Sequence, residues 1–217
     1  MFLFKIVALT NVIAFIIGIF YYKSFPKEVK TIFYFVAFGV FTQLYMKIHE
    51  HFIMQNTLII GHFYFPIVFF ILSIFYIQVL KGFVKPAYFN ITIIIFETYC
   101  IINSLFIQSL FEYPSIEAAI GATIIFLFSI TWFTKIMIEA RIEKLADEPL
   151  IWINSAILIY YTGNFFYFSL YNLIVNASLD VALLVAKLFT VLNLFFYLII
   201  AIGFLKVKGA KSAKSIK

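Results

Sequence analysis

The stretch VALLVAKLFTVLNLFFYLIIAIGFL, residues 181 to 205, holds a single charged side chain, Lys187, from end to end. Crossing the hydrocarbon core of a bilayer takes roughly 20 consecutive apolar residues of helix. The run is long enough, and its apolar residues are continuous rather than alternating, which favours a membrane helix over a barrel strand. Working back toward the amino terminus, six more runs of the same kind cover 2 to 22, 31 to 49, 57 to 80, 87 to 110, 116 to 138 and 149 to 171. The sequence therefore predicts an all-α polytopic integral membrane protein, with one domain of seven transmembrane helices over residues 1 to 205 and a basic cytoplasmic tail over 206 to 217.

Composition agrees. The chain is 65% hydrophobic and only 12% charged, and its mean hydropathy is +1.07, far from the balance of a soluble domain. A net charge of +6 would point to nucleic acid in a soluble protein, but here membrane topology accounts for it and no nucleic-acid partner is expected. Of the 16 lysines and arginines, all but Lys5, Lys47 and Lys187 fall in the first, third and fifth connections or in the tail and its flank. Basic residues stay on the cytoplasmic side, so the chain reads as N-out and C-in. The first apolar run lacks a basic start and a small-residue cleavage pattern, so it reads as a retained helix rather than a signal peptide.

Proline placement supports the boundaries. Pro26, Pro86, Pro114 and Pro149 fall in or beside connections, whereas Pro66 lies within the third run and is expected to kink it. The tail VKGAKSAKSIK is too short and too polar to fold by itself. Its Lys208, Lys211, Lys214 and Lys217, with Lys206 before it, suit contact with anionic lipid or with a cytoplasmic partner.

Polar groups inside the runs carry the functional signal, because charge in hydrocarbon is costly and usually turns toward a partner or a cavity. Glu97 lies near the middle of the fourth run, with Cys100, Ser104 and Gln108 following on the same helical face. The sixth run carries Tyr160, Asn164, Tyr167 and Tyr171 at helical spacing, the seventh Lys187, Thr190, Asn193 and Tyr197, and the second Gln43, Lys47 and Glu50. All four stripes reach the outer half. They predict an outward polar pocket using Glu97, Lys187, His62, Asn164, Tyr167 and Gln108, with interhelical hydrogen bonding as the plain structural alternative.

The segment KIHEHFIMQNTLIIGH, 47 to 62, holds every histidine in the chain. His49 and His51 are two residues apart, which puts them about 200° apart around a helix, a poor arrangement for one ion. A metal set would need His62 to fold back toward them with Glu50. Contact with headgroups and water is the simpler reading, and no cofactor is expected.

Enzyme signatures are missing: there is no GxSxG, no HExxH, and no paired aspartates within the runs. A seven-helix layout with a lysine in the last helix resembles retinal proteins in layout only, since Lys187 lies in the outer third and Leu183 stands four residues before it. EYPSIEAAIGATIIFLF (112 to 128) and EPLIWINSAILIYYTGNFFYFSL (148 to 170) carry Glu117, Pro149, Leu150, Trp152, Tyr161, Gly163 and Asn164. On these residues the chain resembles a group of uncharacterised bacterial seven-helix proteins that look like sensory membrane modules found beside or fused to histidine kinases. The resemblance implies a receptor-like or accessory role in a bacterial inner membrane, without chemistry of its own and acting through a membrane or cytoplasmic protein partner. The rival reading is a small membrane enzyme or transporter with its site in the outer half, metal-dependent at His49, Glu50, His51 and His62 or using Glu97. Transport would call for a homo-oligomer to make up for the small size.

Overall fold

The computed structural model describes residues 2–53, 57–140, 144–177 and 179–214. Arg141 and Lys217, both counted above among the cytoplasmic basic residues, lie outside them. The described residues form seven α-helices and no strand: α1 (Phe2–Tyr21), α2 (Lys27–Ile53), α3 (Ile59–Val79), α4 (Pro86–Ile102), α5 (Ser115–Glu139), α6 (Pro149–Ala177) and α7 (Leu179–Lys214). Five are long and apolar enough to cross a membrane: α2 over Lys27–Phe52, α3, α4 with the turn that follows it to Ile107, α5, and α7 over Asp180–Val207. These are the helices of an integral membrane protein. α1 supplies a shorter apolar stretch, Leu9–Ser24. α6 is less apolar than the five, because Asn154, Asn164 and a series of tyrosines interrupt its hydrophobic residues.

Local chemistry explains where the helices stop. Pro86 and Pro149 are the first residues of α4 and α6, where a missing N–H costs nothing. α5 ends at Ala140, which adopts the left-handed conformation (φ 44°) with its N–H on the carbonyl of Ile136. Gly82, at φ 82° in the turn after α3, takes a conformation a side chain would strain. The ammonium of Lys135 donates to the carbonyl oxygens of Val79 (2.8 Å) and Lys81 (3.2 Å), placing a positive charge where the α3 dipole ends. At the same end of the bundle Lys206 pairs with Asp147 at 3.2 Å. Beyond Lys206 the chain does not leave the helix. The stretch expected to be too polar to fold continues α7 to Lys214, since alanine and lysine propagate a helix already nucleated in its apolar part.

Packing closes α1, α2, α3, α5, α6 and α7 into a ring, each against the next and α7 back against α1, while α4 stands outside against α3 and α5. α4 accordingly keeps large exposed apolar side chains on its outer face, Ile94 and Ile95 among them, as a lipid-facing helix does. Inside the ring Tyr76 donates to Asn154 Oδ1 (2.8 Å), and Asn154 Nδ2 donates to the carbonyl of Ser129 (3.1 Å). These buried bonds tie α3, α5 and α6 at about 0.6 to 2 kcal/mol each. Trp132, Phe75, Ile157 and Phe204 are among the largest buried side chains of the core.

Candidate functional site: a tyrosine-lined cavity beside a buried histidine and glutamate

At the end of the bundle where α2 gives way to α3, the ring is not filled. A cavity of about 470 Å³ lies between α2, α3, α6 and α7, with Tyr113 from the α4–α5 connection in its wall. Three of the four polar stripes converge on it: Gln43 and Lys47 from α2, Tyr160, Tyr167 and Tyr171 from α6, and Thr190, Asn193 and Tyr197 from α7. Tyr64 of α3 adds another phenol. From Gly39 at its deep end to exposed Lys47, the lining follows α2 for about 12 Å at 1.5 Å per residue. The described lining contains hydroxyls, amides and one ammonium group, and no carboxylate.

Gly39 sets the depth. A Cβ there would lie 3.2 Å from the Tyr197 hydroxyl and 3.3 Å from Asn11 Nδ2, so the missing side chain lets α7 and α1 bring those polar groups up to α2. Asn11 is fully buried with both amide atoms lacking a hydrogen-bond partner, and Asn164 Oδ1 is likewise unpartnered. Buried polar atoms without partners are few in native proteins and mark places where something else is bound or rearranges.

The fourth stripe goes elsewhere. α4 ends in a π-turn, Asn103–Ile107, closed by the Gln108 N–H on the Asn103 carbonyl at 2.8 Å. Such a turn takes in an extra residue, and here it sets the Asn103 and Gln108 amides side by side at 3.0 Å. Asn103 Nδ2 (2.9 Å) and Ser104 Oγ (3.0 Å) both donate to Oε1 of Glu117, a fully buried carboxyl at the start of α5. His62 of α3 completes the cluster, with Nδ1 2.8 Å from Ser104 Oγ and 3.5 Å from Glu117 Oε1.

One hydrogen position follows from its partner. His62 Nε2 faces the carbonyl of Glu112 at 3.2 Å, and a carbonyl only accepts, so Nε2 carries hydrogen. Between Nδ1 and Ser104 Oγ the direction follows the protonation of the ring. Pro66 adds to the setting: lacking an N–H, it leaves the carbonyl of His62 without its helical partner. Glu117 Oε2 has no partner, and Glu117 and Tyr161 both line a void of about 20 Å³. Phe65 and Phe168 border both this void and the large cavity and so stand between Glu117 and the tyrosines.

The residues expected to form one pocket are thus divided. Tyr167 lines the cavity, and Asn164 is buried one turn along the same helix. His62 sits with Glu117. Gln108 is committed to the loop: its oxygen accepts from Asn103 and from the Ile116 N–H, and its nitrogen donates to Ser115 Oγ and the Tyr113 carbonyl. Glu97 is half-buried on α4 with Oε1 unpartnered, and Lys187 is exposed on α7. These two are not brought together, because α4 packs on α3 and α5 while α7 packs on α1 and α6. His49 is half-buried, Glu50 and His51 are exposed, and His62 is buried in the next helix. Among the described residues no three histidine, cysteine, aspartate or glutamate side chains are grouped to hold a metal ion.

In the sequence Glu117 stands out only among the residues that carry the resemblance to seven-helix bacterial proteins. It lies at the edge of its run, and the folding of the α4–α5 connection over it makes it buried. No protein-family model, curated protein or solved structure matches the chain.

Proposed function

We propose that this protein is a receptor-like accessory module of a bacterial inner membrane, with seven membrane helices, its amino terminus outside, and no chemistry of its own. It takes a small ligand in the tyrosine-lined cavity and passes occupancy to a protein partner. The observation that carries this reading is the convergence of side chains from α2, α3, α6 and α7 on one unfilled space of about 470 Å³, within the range of small-molecule sites. A ligand there touches four helices of the ring at once, so its binding energy is able to favour one arrangement of them over another. The basic end of the bundle, opposite the cavity, supports a cytoplasmic contact.

The test is native mass spectrometry on the chain drawn gently from its own membrane, beside a Tyr197→Trp variant that fills the deep end of the cavity. A small molecule retained by the parent chain and lost from the variant, with a protein retained in fixed proportion, is the expected result. A chain that carries neither would sink the proposal.

A second reading, an enzyme or transporter working in the same half of the bundle, draws on the buried acid and base of Glu117 and His62. Phe65 and Phe168, which separate Glu117 from the cavity, weigh against it.

A further inference from the structure

Outside the ring, between the exposed faces of α2 and α3, runs a second concavity of about 830 Å³ lined by Phe38, Phe41, Phe63 and Ile67. Phe41 and Phe63 are more than half exposed and face the lipid. This groove and the tyrosine-lined cavity share three residues, Thr42, Ile60 and Tyr64. The membrane and the interior of the bundle are therefore separated at this level by one thin wall of side chains.

We infer that groove and cavity form a single site for a long-chain carboxylate, with its head group among the tyrosines and its tail in the groove. This rests on the reading of the cavity as a ligand site and names the class of ligand. Three observations select it. Among its described lining residues the cavity is rich in donors and has no carboxylate: the Lys47 ammonium only donates, the tyrosine hydroxyls are able to donate, and the Asn193 amide, which gives one hydrogen to the Phe189 carbonyl, has a second. Those groups suit an anionic head and leave a cation without a counter-charge. The tyrosine rings do not form an open cage for a cation either, because Tyr160 stacks on Phe196 at 4.4 Å and Tyr167 on Phe189 at 4.3 Å. The groove, by contrast, offers aromatic and aliphatic surface to a hydrocarbon chain, and α2 and α3 are packed neighbours, so the way between them suits one chain rather than two.

The geometry also gives the ligand its route. A fatty acid is already concentrated in the bilayer with its carboxylate near the interface, the level of Lys47. Displacement of Tyr64 or Thr42 lets the head group pass sideways from the lipid into the ring while the tail stays behind in the groove.

The experiment uses the full chain in detergent, titrated with oleate, oleyl alcohol and oleylamine, with bound molecules counted by native mass spectrometry. One oleate per chain is expected, with oleylamine at least about tenfold weaker. Lys47→Met is expected to weaken oleate about tenfold, the scale of one hydrogen bond to a charged group, and to leave oleyl alcohol unchanged. Thr42→Trp, which thickens the shared wall, is expected to remove oleate while the unfolding temperature is kept. Equal binding of oleylamine and oleate, or indifference of oleate to both substitutions, overturns the carboxylate. If a different, water-soluble molecule is found in the cavity and is lost on Tyr197→Trp, the inference fails while the receptor reading stands. If no molecule of any kind occupies the cavity of a folded chain, both fail.

Discussion

Nδ1 of His62 lies 3.5 Å from Oε1 of Glu117, with both side chains almost completely shielded from solvent. Two elements far apart in sequence supply this pair, and Ser104 from a third bridges it. Removing one member leaves buried polar atoms of the other without a partner. His62→Leu is expected to cost about 1 to 3 kcal/mol, as buried polar groups left without partners do, and the double variant His62→Leu with Glu117→Leu to cost clearly less. Denaturant unfolding in detergent measures both; a double variant no more stable than His62→Leu alone would contradict the pairing.

Gln108 uses all four of its amide hydrogen bonds to hold the α4–α5 connection. Gln108→Leu leaves the Ser115 hydroxyl, the Ile116 N–H and one Asn103 contact without this partner. The expected loss is about 1 to 3 kcal/mol, accompanied by faster amide exchange over residues 103 to 116. Unchanged exchange there would show that the connection is held by other means.

Lys206 and Asp147 make an ion pair at 3.2 Å, but both are substantially exposed. Exposed pairs contribute between about 0 and 1 kcal/mol. Asp147→Asn should therefore shift the unfolding midpoint very little, and any shift should shrink further as salt is raised. A large, salt-independent loss would mean that Asp147 has another role.

Topology is testable through the chain's own chemistry. Cys100 is the only cysteine and is buried, so Cys100→Ser provides a clean background. Single cysteines placed at exposed Glu112 and exposed Lys85 sit in successive connections, which fall at opposite ends of the bundle. With the amino terminus outside, a membrane-impermeant thiol reagent labels position 112 in intact cells and position 85 only after permeabilisation. The reverse pattern would invert the orientation.

The sequence by itself determined the helices. Continuous apolar runs have one low-energy form in lipid, so the number of helices and the prolines at their starts were readable before any packing was known. It also located three of the polar stripes that meet in the cavity, because helical spacing keeps residues three and four apart on one face. Which face meets which was not readable. Glu97 and Lys187 were expected in one pocket, yet the ring order sets α4 outside against α3 and α5 while α7 packs on α1 and α6. Glu117 stands at the edge of its run and becomes buried only when the π-turn of α4 and the Glu112–Ser115 loop fold over it. Burial of this kind depends on contacts between segments distant in the chain, and no local spacing encodes it. The tertiary structure alone therefore decided that the fourth stripe holds the bundle together while the other three surround an open space.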